Sequence, residues 1–143
     1  MNNVILKTER VEMKFPLPFI TPRMVVEAIG DKETVEYMDA VPTMEYTEEN
    51  ALSFMEFLQY TEKSEEELEL GLFDIKTGKF IGMCTLENIN RECCVCELGY
   101  WLDKAYVGKG YMTECVKEII AYAKNELQMK SINAFVIVEH HQQ

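Results

Sequence analysis

Glu97-Leu98-Gly99-Tyr100-Trp101-Leu102-Asp103, followed three residues later by Val107-Gly108-Lys109-Gly110-Tyr111-Met112-Thr113, is the stretch that decides the fold. An apolar segment over residues 93–102 reads as a strand, the two glycines as a short loop, and the residues after them as a helix. From Gly110 to Leu127, the apolar residues Cys115, Val116, Ile119, Ile120, Ala123 and Leu127 recur at spacings of three and four, the strongest helical periodicity in the chain. In that order the glycines acquire a physical role. Backbone approaches a ligand closely where side chains are absent, and the free N–H groups of a helix N-terminus, aided by its dipole, bind phosphate oxygens. A pyrophosphate would sit there. The competing account is that Gly108 and Gly110 only shape a tight connection.

Working outward, residues 80–89 and 68–75 flank the turn Lys76-Thr77-Gly78-Lys79 and read as an antiparallel hairpin, which Asn90-Arg91-Glu92 links to the 93–102 strand. Three strands thus form a meander. The acidic run Glu65-Glu66-Glu67 reads as a solvated boundary before it. Thr47 is placed to cap a helix over residues 48–60, with Ala51, Phe54, Met55 and Leu58 on one face. Further upstream, residues 4–6 and 11–15 look extended. Pro16, Pro18 and Pro22 lead into a short helix over 23–29 closed by Gly30-Asp31, and a second amphipathic piece over 33–38 runs to Pro42. Beyond the long helix, Lys130 introduces an apolar strand over 132–138.

At 143 residues with 48% hydrophobic and 27% charged, the chain suits one domain over residues 1–143. No apolar run suggests a membrane span, and the first residues lack the pattern of an export signal, so the expectation is a cytoplasmic protein. Five cysteines, Cys84, Cys93, Cys94, Cys96 and Cys115, fit a reducing compartment and read as small hydrophobes. A net charge of -11 argues against nucleic acid as a partner and makes a cationic or neutral ligand the more natural one.

The strand ending Tyr100-Trp101-Leu102-Asp103 and the loop Gly108-Lys109-Gly110-Tyr111 together resemble the GNAT acetyltransferases, especially the branch that acetylates ribosomal-protein N-termini. The likeness is good over about residues 68–138 and holds only in element order before that. It implies an α/β (α+β) fold with a mixed, mostly antiparallel sheet flanked by helices. In that family an Arg/Gln-x-x-Gly-x-Gly/Ala motif wraps the pyrophosphate of acetyl-coenzyme A. Here Val107 stands in place of Arg or Gln and Met112 in place of a small residue, which narrows the path. By the resemblance Val107, Gly108, Lys109, Gly110, Tyr111, Met112 and Thr113 hold the cofactor, while Tyr100, Trp101 and Leu102 pair their backbone with its pantetheine arm. Gly99 marks the place where this strand splays from the next.

Acetyl transfer to an amine needs a neutral attacking nitrogen, a polarised thioester carbonyl and a proton for the departing thiolate. Glu97, on the strand leading into the loop, is the first candidate base, and Glu87 on the preceding strand the second; each competes with the account of a solvent-facing carboxylate. A backbone N–H near Leu102 would stabilise the oxyanion. No metal is expected: Cys93, Cys94 and Cys96 alternate along a strand, away from His140 and His141. The absence of a His-Glu-x-x-His pattern and the position of both histidines at the C-terminus argue against hydrolases.

The family's usual general-acid tyrosine lies on a helix beyond the 132–138 strand, whereas this sequence runs only to Gln143. The resemblance therefore implies a C-terminally short fold, and leaves open a truncated or frame-altered member, completion by a partner subunit, or lost activity. A homodimer is expected, with strand exchange as one route to it, because an uncovered apolar edge invites pairing. Two functions compete. One is an N-acetyltransferase carrying acetyl from acetyl-coenzyme A to a primary amine, at a protein N-terminus or on a small molecule. The other is a catalytically inactive acyl-coenzyme A-binding or interaction module.

Overall fold

The computed structural model describes residues 1, 3–30 and 46–134. Six strands, β1 (Ile5–Lys7), β2 (Val11–Lys14), β3 (Leu68–Asp74), β4 (Phe80–Asn90), β5 (Val95–Leu102) and β6 (Ser131–Ala134), form one sheet in chain order. All neighbours are antiparallel except β5 and β6, which are parallel. Connection length permits the exception, although the longer passage from β2 to β3 still pairs antiparallel. Tight turns join β3 to β4 and β4 to β5, whereas the passage from β5 to β6 carries the helix α3 (Tyr111–Asn125), as a parallel crossover requires. The mixed, mostly antiparallel sheet read from the sequence is the one observed.

Helices α1 (Pro22–Ile29) and α2 (Glu48–Thr61) pack on each other and cover one face of the sheet. Both start where their caps dictate. Thr21 Oγ1 accepts from the Met24 N–H (3.2 Å) ahead of Pro22, and Thr47 forms a reciprocal box with Asn50, whose Oδ1 accepts from the Thr47 N–H (2.9 Å). On this face Phe73, Phe80, Met83 and Trp101 bury themselves against Val25, Ala28, Ile29, Ala51 and Leu58. Helix α3 covers the opposite face, where Cys115, Ile119 and Ala123 pack on Leu70, Cys84, Leu86, Cys96 and Leu98. Adjacent residues of a strand thus serve different layers, as the period of two demands.

One boundary differs from the sequence reading. β5 begins at Val95, because the chain turns through residues 91–94, and Cys94 adopts a φ of 59°. Asn90 Oδ1 accepts from the Cys93 N–H (2.9 Å) and stabilises this turn. Cys93 and Cys94 therefore do not alternate on a strand, and of the three neighbouring cysteines only Cys96 lies in β5. The expected piece over 33–38, Pro42, the continuation of the last strand past Ala134, and His140 and His141 lie outside the described residues. Among the described residues no helix is long and apolar enough to cross a membrane.

Candidate active site

The loop after β5 is built by a chain of local contacts. Asp103 Oδ1 accepts from the Ala105 N–H (2.9 Å), which turns the chain into a 3-10 segment, Lys104–Tyr106. Tyr106 then anchors it: its hydroxyl donates to Asp74 Oδ2 at the end of β3 (3.1 Å), and its ring meets Tyr111 edge-on at 5.1 Å. Between these anchors Gly108 and Gly110 take φ values of 80° and 84°, a left-handed conformation that costs another residue about 1–2 kcal/mol. A Cβ on Gly108 would meet nothing within 4 Å, so the glycine there serves backbone shape and access from outside. Gly110 caps α3 without any side-chain acceptor. Among the described residues, no backbone carbonyl takes the N–H groups of residues 108–113. Unpaired N–H groups at a helix N-terminus are available to an anion.

Sequence reasoning missed the residue that braces this loop. Arg10 lies between β1 and β2, where Thr8 Oγ1 accepts from the N–H groups of Arg10 and Val11 (3.2 and 3.0 Å). Its guanidinium crosses to the loop. There Nη2 donates to the Lys109 carbonyl (3.0 Å), Nε and Nη2 both bond Glu114 Oε2, and the group stacks over the Tyr111 ring at 3.9 Å from the centroid. Hydrogen bonding from Arg10 holds the Glu114 carboxyl below its ordinary range, and the same bond raises the guanidinium. The separation of 99 residues from Lys109 left no local signal to read.

The backbone of β5 has a definite phase. The bond from the Asp103 N–H to the Ile81 carbonyl (2.7 Å) makes Trp101, Gly99 and Glu97 the residues whose backbone groups face β4. Tyr100 and Leu102 accordingly turn theirs toward the β6 side, and β6 pairs with β5 over Val95 to Leu98. The splay expected at Gly99 would begin past that pairing, outside the described residues. The β4 side runs through Gly99 without a break, opposite Thr85. Side chains follow the same alternation: Trp101 is buried beneath α1 and α2, edge-on to Phe80 at 5.9 Å, while Tyr100 packs on the α3 side. Val107, Lys109 and Thr113 are exposed, and Met112 folds back onto the α3-side cluster.

Both candidate bases lie on the α1/α2 face, directly opposite each other as cross-strand partners. Glu97 Oε1 accepts from Asn88 Nδ2 at 2.8 Å. Asn88 reaches it because the β4–β5 register is interrupted between Glu87 and Asn90, where Asn88 takes a φ of 50°. A third carboxyl, Glu69 of β3, escaped the sequence reading. It is 4% exposed, and burial together with the neighbouring Glu87 pushes it up to about 9. Its position inside the apolar run Leu68-Glu69-Leu70 was the available signal. The Cys115 and Cys84 thiols offer no competing nucleophile: burial pushes Cys115 up to about 12 and Cys84 well above its ordinary value.

Residues 21–143 match the family described as the acetyltransferase (GNAT) domain. A probable N-acetyltransferase of Bacillus subtilis is 39% identical over 82 residues, which span 55% of this chain and 45% of that protein. The chain thus covers less than half the length of that relative. Among solved structures, a putative ribosomal-protein-serine acetyltransferase from Vibrio cholerae superposes with a TM-score of 0.75 at 17% identity, covering 94% of this chain and 74% of the other. The microcin C7 self-immunity acetyltransferase, in complex with acetyl-CoA and AMP, superposes with a TM-score of 0.67 at 18% identity, over 87% of this chain and 69% of the other. These two likenesses concern the fold.

Proposed function

The chain belongs to the GNAT acetyltransferase family, and from that premise we propose that it binds acetyl-coenzyme A at residues 107–113 and transfers the acetyl group to a primary amine. The observation that carries this is the pair of left-handed glycines, Gly108 and Gly110, at the start of α3, beside N–H groups that no backbone carbonyl takes among the described residues. The residues fit a pyrophosphate: N–H groups are unpaired, side chains are absent at both glycines, and the helix N-terminus presents the positive end of its dipole. The structural neighbour solved with acetyl-CoA supports the same reading. The thioester would supply an activated acetyl group.

The chain's own part follows from the geometry. Backbone groups of Tyr100 and Leu102, facing the β6 side, orient the pantetheine arm beside Trp101, and an N–H near Leu102 receives the developing oxyanion. Glu97, held by Asn88, takes the proton from the attacking ammonium directly or through one water. Glu87, its cross-strand partner, is the second candidate. The acceptor is a protein N-terminus or a small-molecule amine. Calorimetry with acetyl-coenzyme A, followed by release of free thiol in the presence of an amine panel, tests this. Saturable binding with acceptor-dependent thiol release is expected. Absence of binding at high micromolar cofactor would overturn the cradle, and binding without thiol release would leave an inactive acyl-coenzyme A module.

A further inference from the structure

Resting on the proposed role of Glu97 as the base that meets the acceptor amine, we propose that Glu69 and Glu87, on the same face of the sheet, form a recognition subsite for a positively charged nitrogen of the acceptor. Three observations meet there. Glu69 is 4% exposed, and its Oε2 is buried without a hydrogen-bond partner. Glu69 lies opposite Thr85, two residues from Glu87 on the same face of β4. Diagonal neighbours of that kind are about 7–8 Å apart, within reach of two glutamate side chains turned to each other. Glu97 lies directly across from Glu87, which aligns three carboxyls over three strands.

What this cluster lacks is a cation. Among the described residues the ion pairs involve Met1, Lys7, Arg10, Lys14, Arg23, Lys79 and Arg91, and none reaches Glu69, Glu87 or Glu97. The ionisable groups that act on Glu69 are Glu87 and Glu67, both acidic. A buried carboxylate with no donor is strongly disfavoured, so Glu69 keeps its own proton until another donor arrives. An ammonium is such a donor: it offers three N–H groups and a charge, and on entering it releases that proton. A metal ion fits less well, since no group of three or more acidic, histidine or cysteine side chains among the described residues has the geometry to hold one. Because Glu87 and Glu97 face each other, the recognised charge lies one side chain from the nitrogen that reacts. The substrate class is therefore an amine with a second cationic nitrogen a few methylenes away.

The test compares 1,4-diaminobutane with 1-aminobutane by calorimetry on the full chain and on Glu69→Gln, in two buffers of different ionisation enthalpy. Glutamine keeps the shape and a donor toward Glu87, so melting temperature and cofactor affinity report whether the variant is intact. The wild type should bind the diamine about tenfold more tightly, the low end of what one charge-assisted hydrogen bond supplies. About one proton should leave per bound diamine. Glu69→Gln should lose both the preference and the proton release. A wild type without preference, a variant that retains it, or a magnesium ion that binds there more tightly than the diamine overturns the proposal. Loss of cofactor binding with the diamine preference intact would instead overturn acetyl transfer and leave the subsite standing.

Discussion

Replacing Gly108 or Gly110 by alanine separates the shape of the cradle from its use. Both sit at left-handed φ, 80° and 84°, so each alanine should destabilise the fold by about 1–2 kcal/mol. For a chain of this size that is a fall in melting temperature of about 3–7 °C. The two sites differ in surroundings. At Gly108 the added methyl has open space, so any loss of affinity beyond that strain arises on the ligand side. At Gly110 it comes within 3.3 Å of Arg10 Nη2, the atom that holds the Lys109 carbonyl, and it disturbs the brace as well. One blocked amide-to-phosphate bond is worth about tenfold to a hundredfold in Kd. The expected order of cofactor affinity is wild type, then Gly108→Ala, then Gly110→Ala, measured by calorimetry beside thermal melts. If both variants melt lower by the expected amount yet bind acetyl-coenzyme A within about twofold of wild type, the amides do not hold a pyrophosphate.

Glu97→Gln should lower kcat by about 10²–10⁴ while leaving cofactor Kd unchanged, since a general base acts in the chemical step; equal turnover in steady-state assays would remove Glu97 from that role. Arg10→Gln should weaken cofactor binding while Tyr106 and Asp74 still anchor the loop, and unchanged affinity in titration would show that the brace is dispensable. Glu69 gives a pH dependence of stability. Its ordinary value is 4.5 and in the fold it is pushed up to about 9, so between these the folded chain holds the extra proton and stability falls as pH rises. The contribution is complete below about 4.5 and lost on passing about 9; urea midpoints across this range should slope downward in wild type and lie flatter in Glu69→Gln, and parallel slopes would refute it.

What could be read in the sequence was local. The periodicity from Cys115 to Ala123 fixed α3, the Thr47 cap fixed the start of α2, and the loop at Gly108 and Gly110 declared its own backbone. Each of these depends on residues within a turn or two. Arg10 did not declare itself, because its partners Lys109 and Glu114 come beside it only after β2 pairs with β3 and α3 folds over the sheet. Glu69 was hidden for a related reason. Its burial comes from tertiary packing around β3, which strand patterning alone does not reveal. The start of β5 differs from the apolar run at Cys93 and Cys94 because a turn that Asn90 organises with one side-chain bond outweighs apolar character there.

β5 connects the two halves of the proposed site, and its alternation explains why they can coexist. Cys96, Leu98, Tyr100 and Leu102 serve the α3 side, so that α3 lies where its N-terminus meets the loop leaving Leu102. Glu97, Gly99 and Trp101 serve the other face, which puts a carboxyl and an open backbone position beneath the helices α1 and α2. A shift of one residue in this strand would carry Glu97 into the layer of Leu86 and Cys115 and lift Leu98 onto the acceptor face, destroying both at once. The register is held against that shift by the burial of Leu98 and Trp101 on opposite sides and by the cap that Asp103 makes on the next turn. Core packing and site geometry are therefore one constraint in this strand. That is why the stretch that decided the fold also places the chemistry.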